Sequence, residues 1–402
     1  MLEEPDIRAA PDDGFIAAVR GAFAVEPEID RVLTRKLRNR AGPGYSAISL
    51  EDLSGSTANL IRAHLGDDFT LSNARWLGGG ASKLQMAFDL EWREAGETRS
   101  QAMVLRMEPP EAIVETSRQR EFEALCAASG TLPVPRCRWF DTEAQYLPYP
   151  GLIYDFANGV TKPSSRPSQQ VTGIGTNFGP ELRPVLADQF IANMAALHTM
   201  PLGALGEGSA FAPAAAGSNE SVIRQVNWWR RVWEEDRPED CPLVDVAARW
   251  LIENAPPLDH VSLVHGDFRA GNFLYDEDTR RITAWLDWEL SVLGDRHQDL
   301  TWTSGAHFGH YAEDGVTFLA SGLVPAEDLY RRYEAASGLS VDPVRLRYYR
   351  IFNDFASCVH MLATAPRVAG GGKTHQDVVV GWLSMIGNVI AGKLRTSLAE
   401  VL

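Results

Sequence analysis

Apolar and charged positions recur with helical spacing over residues 14–39, and the breaker Ala41-Gly42-Pro43-Gly44 ends that stretch. Residues 46–65 carry a second helical pattern, so residues 1–70 read as an N-terminal helical extension. From Leu71 the period changes. The runs TLSNARWL, LQMAFDLEW and QAMVLRM are short and alternating, with Gly78-Gly79-Gly80 and Glu94-Ala95-Gly96 between them, which predicts a three-stranded antiparallel meander. A helix over 115–128 follows, then a strand pair opened by Pro133-Val134-Pro135 and closed by Leu152-Ile153-Tyr154. Residues 71–157 thus read as a small lobe of sheet plus one helix. The stretch 161–184 is polar and rich in Gly, Pro and Ser, readable as a disordered loop or as a flap over a bound substrate. Beyond it helical spacing dominates, over 185–201, 219–237, 243–254, 313–337, 343–364 and 376–398. The fold class is α+β, with a small antiparallel lobe and a larger, mostly helical lobe over 158–402.

At 402 residues and 45% hydrophobic content the chain can bury a large core. No apolar run reaches the ~20 residues of a membrane span, and the start MLEEPDIRAAPDDGF lacks the basic and apolar regions of a signal peptide. Cys126, Cys137, Cys241 and Cys358 have no paired spacing and are expected as reduced thiols, which suits a cytoplasmic protein. The net charge of −15 argues against nucleic acid or an anionic membrane as partner. That acidity is spread evenly along the chain, so it does not by itself point to a cationic substrate.

The chemistry concentrates in residues 263–288, LVHGDFRAGNFLYDEDTRRITAWLDW. The strand-like Ser262-Leu263-Val264 leads into a tight turn holding His265, Asp267, Arg269 and Asn272. Residues 281–286, after the turn-forming Asp276-Glu277-Asp278, read as the second strand of a hairpin that returns Asp287 beside Asn272. Such a set supplies a carboxylate to take a hydroxyl proton (Asp267), an adjacent cation (Arg269) and two hard oxygen donors suited to Mg²⁺ (Asn272 and Asp287). Phosphoryl transfer asks for this set, because its catalysis is mostly positioning and charge neutralisation. His265 is expected to brace the loop by a hydrogen bond near Asp287 or to a backbone carbonyl.

The spacing Asp-x4-Asn with a later Asp resembles the protein-kinase catalytic loop, and His-Gly-Asp resembles the aminoglycoside phosphotransferase family of small-molecule kinases. HGDFRAGN followed by LDWELSVLGDRHQDL is similar to the kinase-like domain fused to some acyl-CoA dehydrogenases. The resemblance spans residues 70–365. It implies a protein-kinase-like bilobal fold, ATP as donor (GTP being possible in this superfamily), Mg²⁺, and a small-molecule hydroxyl as acceptor. Aminoglycosides, choline, sugars and hydroxyacyl thioesters serve as acceptors in such families, and the acyl-CoA dehydrogenase likeness tilts the expectation to a hydroxylated acyl metabolite. The same resemblance makes Gly78, Gly79, Gly80 and Ser82 a phosphate-covering loop, although no Walker A ending follows. It puts Arg106 in the strand position usually held by lysine, with Glu121 as its partner and Glu123 facing away. It makes the backbone of Asp155 and Ala157 the adenine hinge, and Asp299 the acid that holds the catalytic loop. No Ala-Pro-Glu segment follows Asp287, which separates the chain from protein kinases. Arg106 also leaves a second class open, a nucleotide-binding pseudokinase or scaffold.

Two clusters stand outside that set. His297, His307 and His310 lack an HExxH or Cys/His ligand set and read as packing or pocket lining in preference to a metal site. Trp228, Trp229 and Trp233 share one helix, as core or as the wall of an acyl or sugar pocket.

Overall fold

Residues 23–26 divide the first helical stretch into α1 (Asp13–Ala22) and α2 (Pro27–Asn39), and α2 starts on a proline whose fixed φ and missing N–H suit a first turn. The computed structural model describes residues 6–78, 82–165, 174–203, 205 and 207–402. α3 (Leu50–Leu65) is capped by Ser49, whose hydroxyl accepts the Asp52 N–H. These helices do not stand apart as an extension. α2 buries Ile29 and Leu33 among Val226, Trp229 and Val232 of the large lobe, whereas α3 buries Leu53, Leu60 and Ile61 on the small-lobe sheet. An apolar stripe shows that a helix must be covered, and says nothing of which neighbour covers it.

The sheet comprises β1 (Phe69–Trp76), β2 (Leu84–Glu94), β3 (Glu97–Met107), β4 (Cys137–Asp141) and β5 (Gly151–Asp155), with α4 (Arg118–Ala128) between β3 and β4. It is antiparallel throughout, in the order β1-β2-β3-β5-β4. Alternation sorts its side chains. Met86, Phe88 and Leu90 of β2 and Met103, Leu105 and Met107 of β3 pack with α3. Arg106 therefore projects from the opposite face, on the side of α4. A register slip of one residue would turn it into the α3 interface.

In the large lobe, α5 (Gly179–Thr199), α6 (Glu220–Asp236) and α7 (Pro242–Glu253) precede two nested ribbons built from β6 (Ser262–Val264), β7 (Phe273–Asp276), β8 (Arg281–Trp285) and β9 (Val292–Gly294). β7 pairs with β8, and β6 with β9 around them. This nesting forces the β6–β7 loop and the β8–β9 connection together. Leu263 belongs to one hydrophobic core and its neighbour Val264 to another, so β6 is gripped on both faces. α8 (His297–Thr303) follows.

The expected helix over 313–337 is shorter than its pattern. Asp314 accepts the Val316 and Thr317 N–H groups, making a turn between β10 (His310–Tyr311) and β11 (Phe318–Leu319), and α9 spans only Ala326–Ser337. α10 (Pro343–Val359) continues through a π-turn at His360–Thr364 into α11 (Ala365–Gly370). The last stretch is two helices, α12 (Asp377–Ser384) and α13 (Gly387–Ala399). Against the expectation that no segment is apolar enough, Asp377–Ala399 could cross a membrane by length and composition alone, because its charges sit near its ends. Its helical run is interrupted at Met385-Ile386.

Candidate active site

The β6–β7 loop is fixed from three directions. Below it, Phe268 is fully buried, stacked on Trp285 at 3.8 Å between ring centroids and edge-on to Phe190 at 4.9 Å, a burial worth about 2–3 kcal/mol. From α8, Asp299 accepts the His265 and Gly266 N–H groups, each at 2.8 Å, and His198 Nε2 at 3.1 Å. Burial pushes the His198 imidazole below its ordinary pKa, so it is the neutral ring that donates to Asp299. Across the ribbons, His265 Nε2 donates to the Leu286 carbonyl at 3.0 Å while Nδ1 accepts the Asp267 N–H at 3.2 Å, which fixes its tautomer. Gly266 lies at φ +82°, and a Cβ there would sit 2.6 Å from the Leu290 carbonyl oxygen, so only glycine lets the two segments approach this closely.

Three donors converge on the Asp267 carboxylate. Asn272 Nδ2 donates to Oδ2 at 2.6 Å, and Arg269 Nε at 2.7 Å and Trp302 Nε1 at 2.5 Å donate to Oδ1. A carboxylate offers about four acceptor positions, which leaves one on Oδ2. The Leu286 N–H donates to the Asn272 carbonyl at 2.8 Å, so Asp287 follows directly beside Asn272. Asp287 is left-handed, with φ 67° and ψ 51°, a conformation uncommon outside Gly, Asn and Asp. Among the described residues Asp287 Oδ2 and Asn272 Oδ1 have no hydrogen bond, and two such oxygens suit Mg²⁺, which keeps waters and shares phosphate oxygens.

Arg106 joins the lobes. Its guanidinium lies 3.2 Å from Glu121, 2.5 Å from Asp287 and 3.3 Å from Glu289. Burial alone would lower its pKa, but Glu121, Asp287 and Glu289 outweigh burial and hold it firmly charged. Burial dominates at Glu121 and pushes its carboxyl up despite Arg106 and Arg118. Glu123 points elsewhere, accepting the Ala210 N–H at 2.7 Å. Glu289 also lies 3.1 Å from Lys83 and 3.2 Å from Arg118. Burial would raise its pKa, but these cations with Arg106 hold it well below the carboxylate range.

The remaining expected positions are more scattered. Among the described residues the buried Ser82 hydroxyl has no partner, an orphaned donor of the kind a phosphate oxygen would satisfy. Gly78 has open space around a Cβ, so sterics do not require glycine there, and Gly79 and Gly80 lie outside the described residues. The Asp155 side chain pairs with Arg138 at 2.6 Å, and its N–H is already donated to the Arg136 carbonyl, whereas among the described residues the Ala157 N–H has no backbone acceptor. In the stretch 161–184, Ser164 binds the Glu277 carboxylate at the tip of the β7–β8 hairpin; residues 166–173 lie outside the described residues. His297 is consumed by Asp295 and the Asp342 N–H, and no group of three metal-binding His, Cys, Asp or Glu side chains occurs among the described residues.

A cavity of about 640 Å³ with Trp302 in its wall opens between α8, α9, α10 and α13. Asp354 lines it, and burial pushes this carboxyl up to about 6 from 3.8. The neutral form is favoured on folding, so its contribution is complete below 3.8 and lost as the pH rises through about 6. Asp354→Asn is therefore expected to raise stability by about 3 kcal/mol above pH 6 and to match wild type only below 3.8, the gap opening between the two, read by thermal melts across the range.

Glu289, Trp302, Lys83, Arg118 and His198 complete the site without having been singled out as site residues. For Glu289 a signal existed: a lone acid within the apolar run WELSVL is expected to be buried, and a buried carboxylate must have cationic partners. Nothing local marks Trp302, which reaches Asp267 across 35 residues.

The sequence profile of the phosphotransferase enzyme family matches residues 89–349. Acyl-CoA dehydrogenase family member 11 of Gallus gallus is 29% identical over 268 residues, covering 63% of this chain and 32% of that protein. Acyl-CoA dehydrogenase family member 10 of Mus musculus is 23% identical over 266 residues, covering 63% and 23%. The chain thus spans a third or less of the length of these relatives. Among solved structures, a Ralstonia eutropha protein provisionally assigned as an aminoglycoside phosphotransferase superposes with a TM-score of 0.58 at 22% identity, covering 85% of this chain and 98% of that one. Choline kinase of Cryptosporidium parvum gives 0.52 at 12% identity, covering 86% and 95%. The bilobal, kinase-like α+β fold is shared with both.

Proposed function

The chain belongs to the phosphotransferase enzyme family, and from that premise we propose that it transfers the γ-phosphoryl group of ATP, with Mg²⁺, to a hydroxyl of a small molecule. The observation that carries this reading is the convergence of Asp267, Asn272, Asp287 and Arg106 from separate elements onto one end of the nested ribbons. Asp267 orients the acceptor and takes its proton through the vacant position on Oδ2, while Arg269 neutralises charge on the moving phosphoryl group. Asn272 and Asp287 would hold Mg²⁺, which supplies charge neutralisation between the phosphates. Arg106, kept charged and aimed by Glu121, is placed for the α- and β-phosphates, with the Ser82 hydroxyl and the Ala157 N–H as further nucleotide contacts. His265 and Asp299 act indirectly, by fixing the loop. A hydroxylated acyl metabolite is the acceptor class we favour, supported by the likeness to two acyl-CoA dehydrogenase family members.

A screen of a metabolite pool with labelled ATP, with and without Mg²⁺ and with Asp267→Asn as control, tests the reading. Labelled small molecules that appear only with metal and wild-type protein support it. Trp302 offers a finer check. Trp302→Phe keeps the ring and removes the N–H bound to Asp267, so kcat is expected to fall about tenfold with little change in the KM for ATP, as for loss of one hydrogen bond to a charged group.

A further inference from the structure

Arg350 of α10 and Lys393 of α13 both line the cavity that has Trp302 in its wall, and among the described residues neither makes a hydrogen bond or a close ion pair. Nearby, Arg296 pairs with Asp259 and Arg345 with Asp295, whereas the exposed Arg347 and Arg395, like Arg350 and Lys393, have no ion pair among the described residues. What sets Arg350 and Lys393 apart is that both face one cavity. Asp354 is the sole acid in the lining, and one of its oxygens already accepts the Ser397 hydroxyl at 3.2 Å. The Ser304 and Tyr330 hydroxyls bind one another at 2.8 Å. The cavity thus sets two cations against one carboxylate, Asp354, which feels both of them, and Trp302 in its wall donates to Asp267.

We propose that Arg350 and Lys393 form an anion subsite, and that the acceptor whose hydroxyl meets Asp267 carries a carboxylate or phosphate group held there. The guanidinium forks onto either anion, and the ammonium adds a mobile point charge. A polycationic acceptor is selected against, because it would bring like charges together in a partly desolvated space. This inference rests on the phosphotransferase reading above and extends it to the class of acceptor.

The test is binding, with the nucleotide site filled by ADP. Glycerol 3-phosphate and 4-hydroxybutanoate are titrated beside their neutral counterparts, glycerol and butane-1,4-diol, against wild type and an Arg350→Gln/Lys393→Gln double variant. At least one anion is expected to bind about tenfold more tightly than its neutral counterpart. That preference should disappear in the double variant while ADP affinity and the unfolding midpoint hold. The two anionic arms distinguish a phosphate from a carboxylate. Equal binding of anionic and neutral probes, no binding of either anion, or a preference retained in the double variant overturns the proposal. Failure of the phosphotransferase reading has a different signature: the anion preference persists, yet no label passes from ATP to any member of the metabolite pool.

Discussion

Asp267→Asn is expected to lower kcat for phosphoryl transfer by about 10³-fold, the usual scale for loss of a positioned base, with the Kd for ATP unchanged. Asp267 receives Asn272, Arg269 and Trp302 but has no hydrogen bond to Arg106, Ser82 or Ala157, the residues proposed to hold the α- and β-phosphates and the base, so donor binding is separable from transfer. Asparagine keeps the volume. It replaces one acceptor oxygen by an NH₂ group, which either confronts Asn272 Nδ2 or faces Arg269 and Trp302, donor against donor. The proton acceptor is lost in both orientations. The measurement is single-turnover transfer beside nucleotide titration, with an unfolding curve to show that the loop is retained. Transfer undiminished in the variant would remove Asp267 from the chemistry. Wild-type protein that binds ATP and transfers to nothing would favour the scaffold reading that Arg106 leaves open.

The parts of this site that could be read from the sequence are those whose partners are close in the chain. His265, Asp267, Arg269 and Asn272 occupy eight consecutive positions, and a hairpin of ordinary turn chemistry returns Asp287 to them. Arg106 and Glu121 became legible through the resemblance, which expects a cation on the third strand and an acid on the next helix, and the structure places them 3.2 Å apart. What was not legible depends on packing between distant elements. The β6–β9 pairing that closes the nest is only three residues long on each side, too short for a periodic signal. The Asp314 turn lies within helix-compatible spacing, so the pattern alone runs a helix through β11 into α9. α2 and α3 carry stripes of the same kind and yet serve different lobes, because what decides between them is the shape of surfaces formed elsewhere. Lys83 and Arg118 look like ordinary surface cations until Glu289 is placed between them.

That placement carries the largest expected effect on stability. Glu289→Ala should destabilise the fold by about 3–5 kcal/mol, the range for removing one partner from a buried ionic cluster. Glu289 is 9% exposed, and Lys83, Arg106 and Arg118 are 5% exposed or less, so water cannot replace the lost carboxylate. Glu121 and Glu108 remain near Arg106 and Arg118, but among the described residues Lys83 keeps just the Val114 carbonyl at 3.2 Å and Glu108 at 4.0 Å. The dependence on pH follows from the direction of the shift. The folded protein holds Glu289 well below its ordinary value of 4.5, so its stabilisation is complete above that pH and declines as acid protonates it in the folded state. The gap between wild type and variant in urea unfolding should therefore stay constant through neutral pH and narrow in acid. A gap under about 1 kcal/mol at neutral pH would mean that the other carboxylates already satisfy the three cations. There is a functional consequence within the same cluster. Without Glu289, Arg106 is left to Glu121 and Asp287, so its hold on Asp287 tightens where Mg²⁺ is proposed to bind. The Mg²⁺ concentration needed for half-maximal transfer should then rise, while Glu289→Gln, which keeps the shape and one hydrogen-bonding oxygen, should lie between wild type and alanine in both measurements.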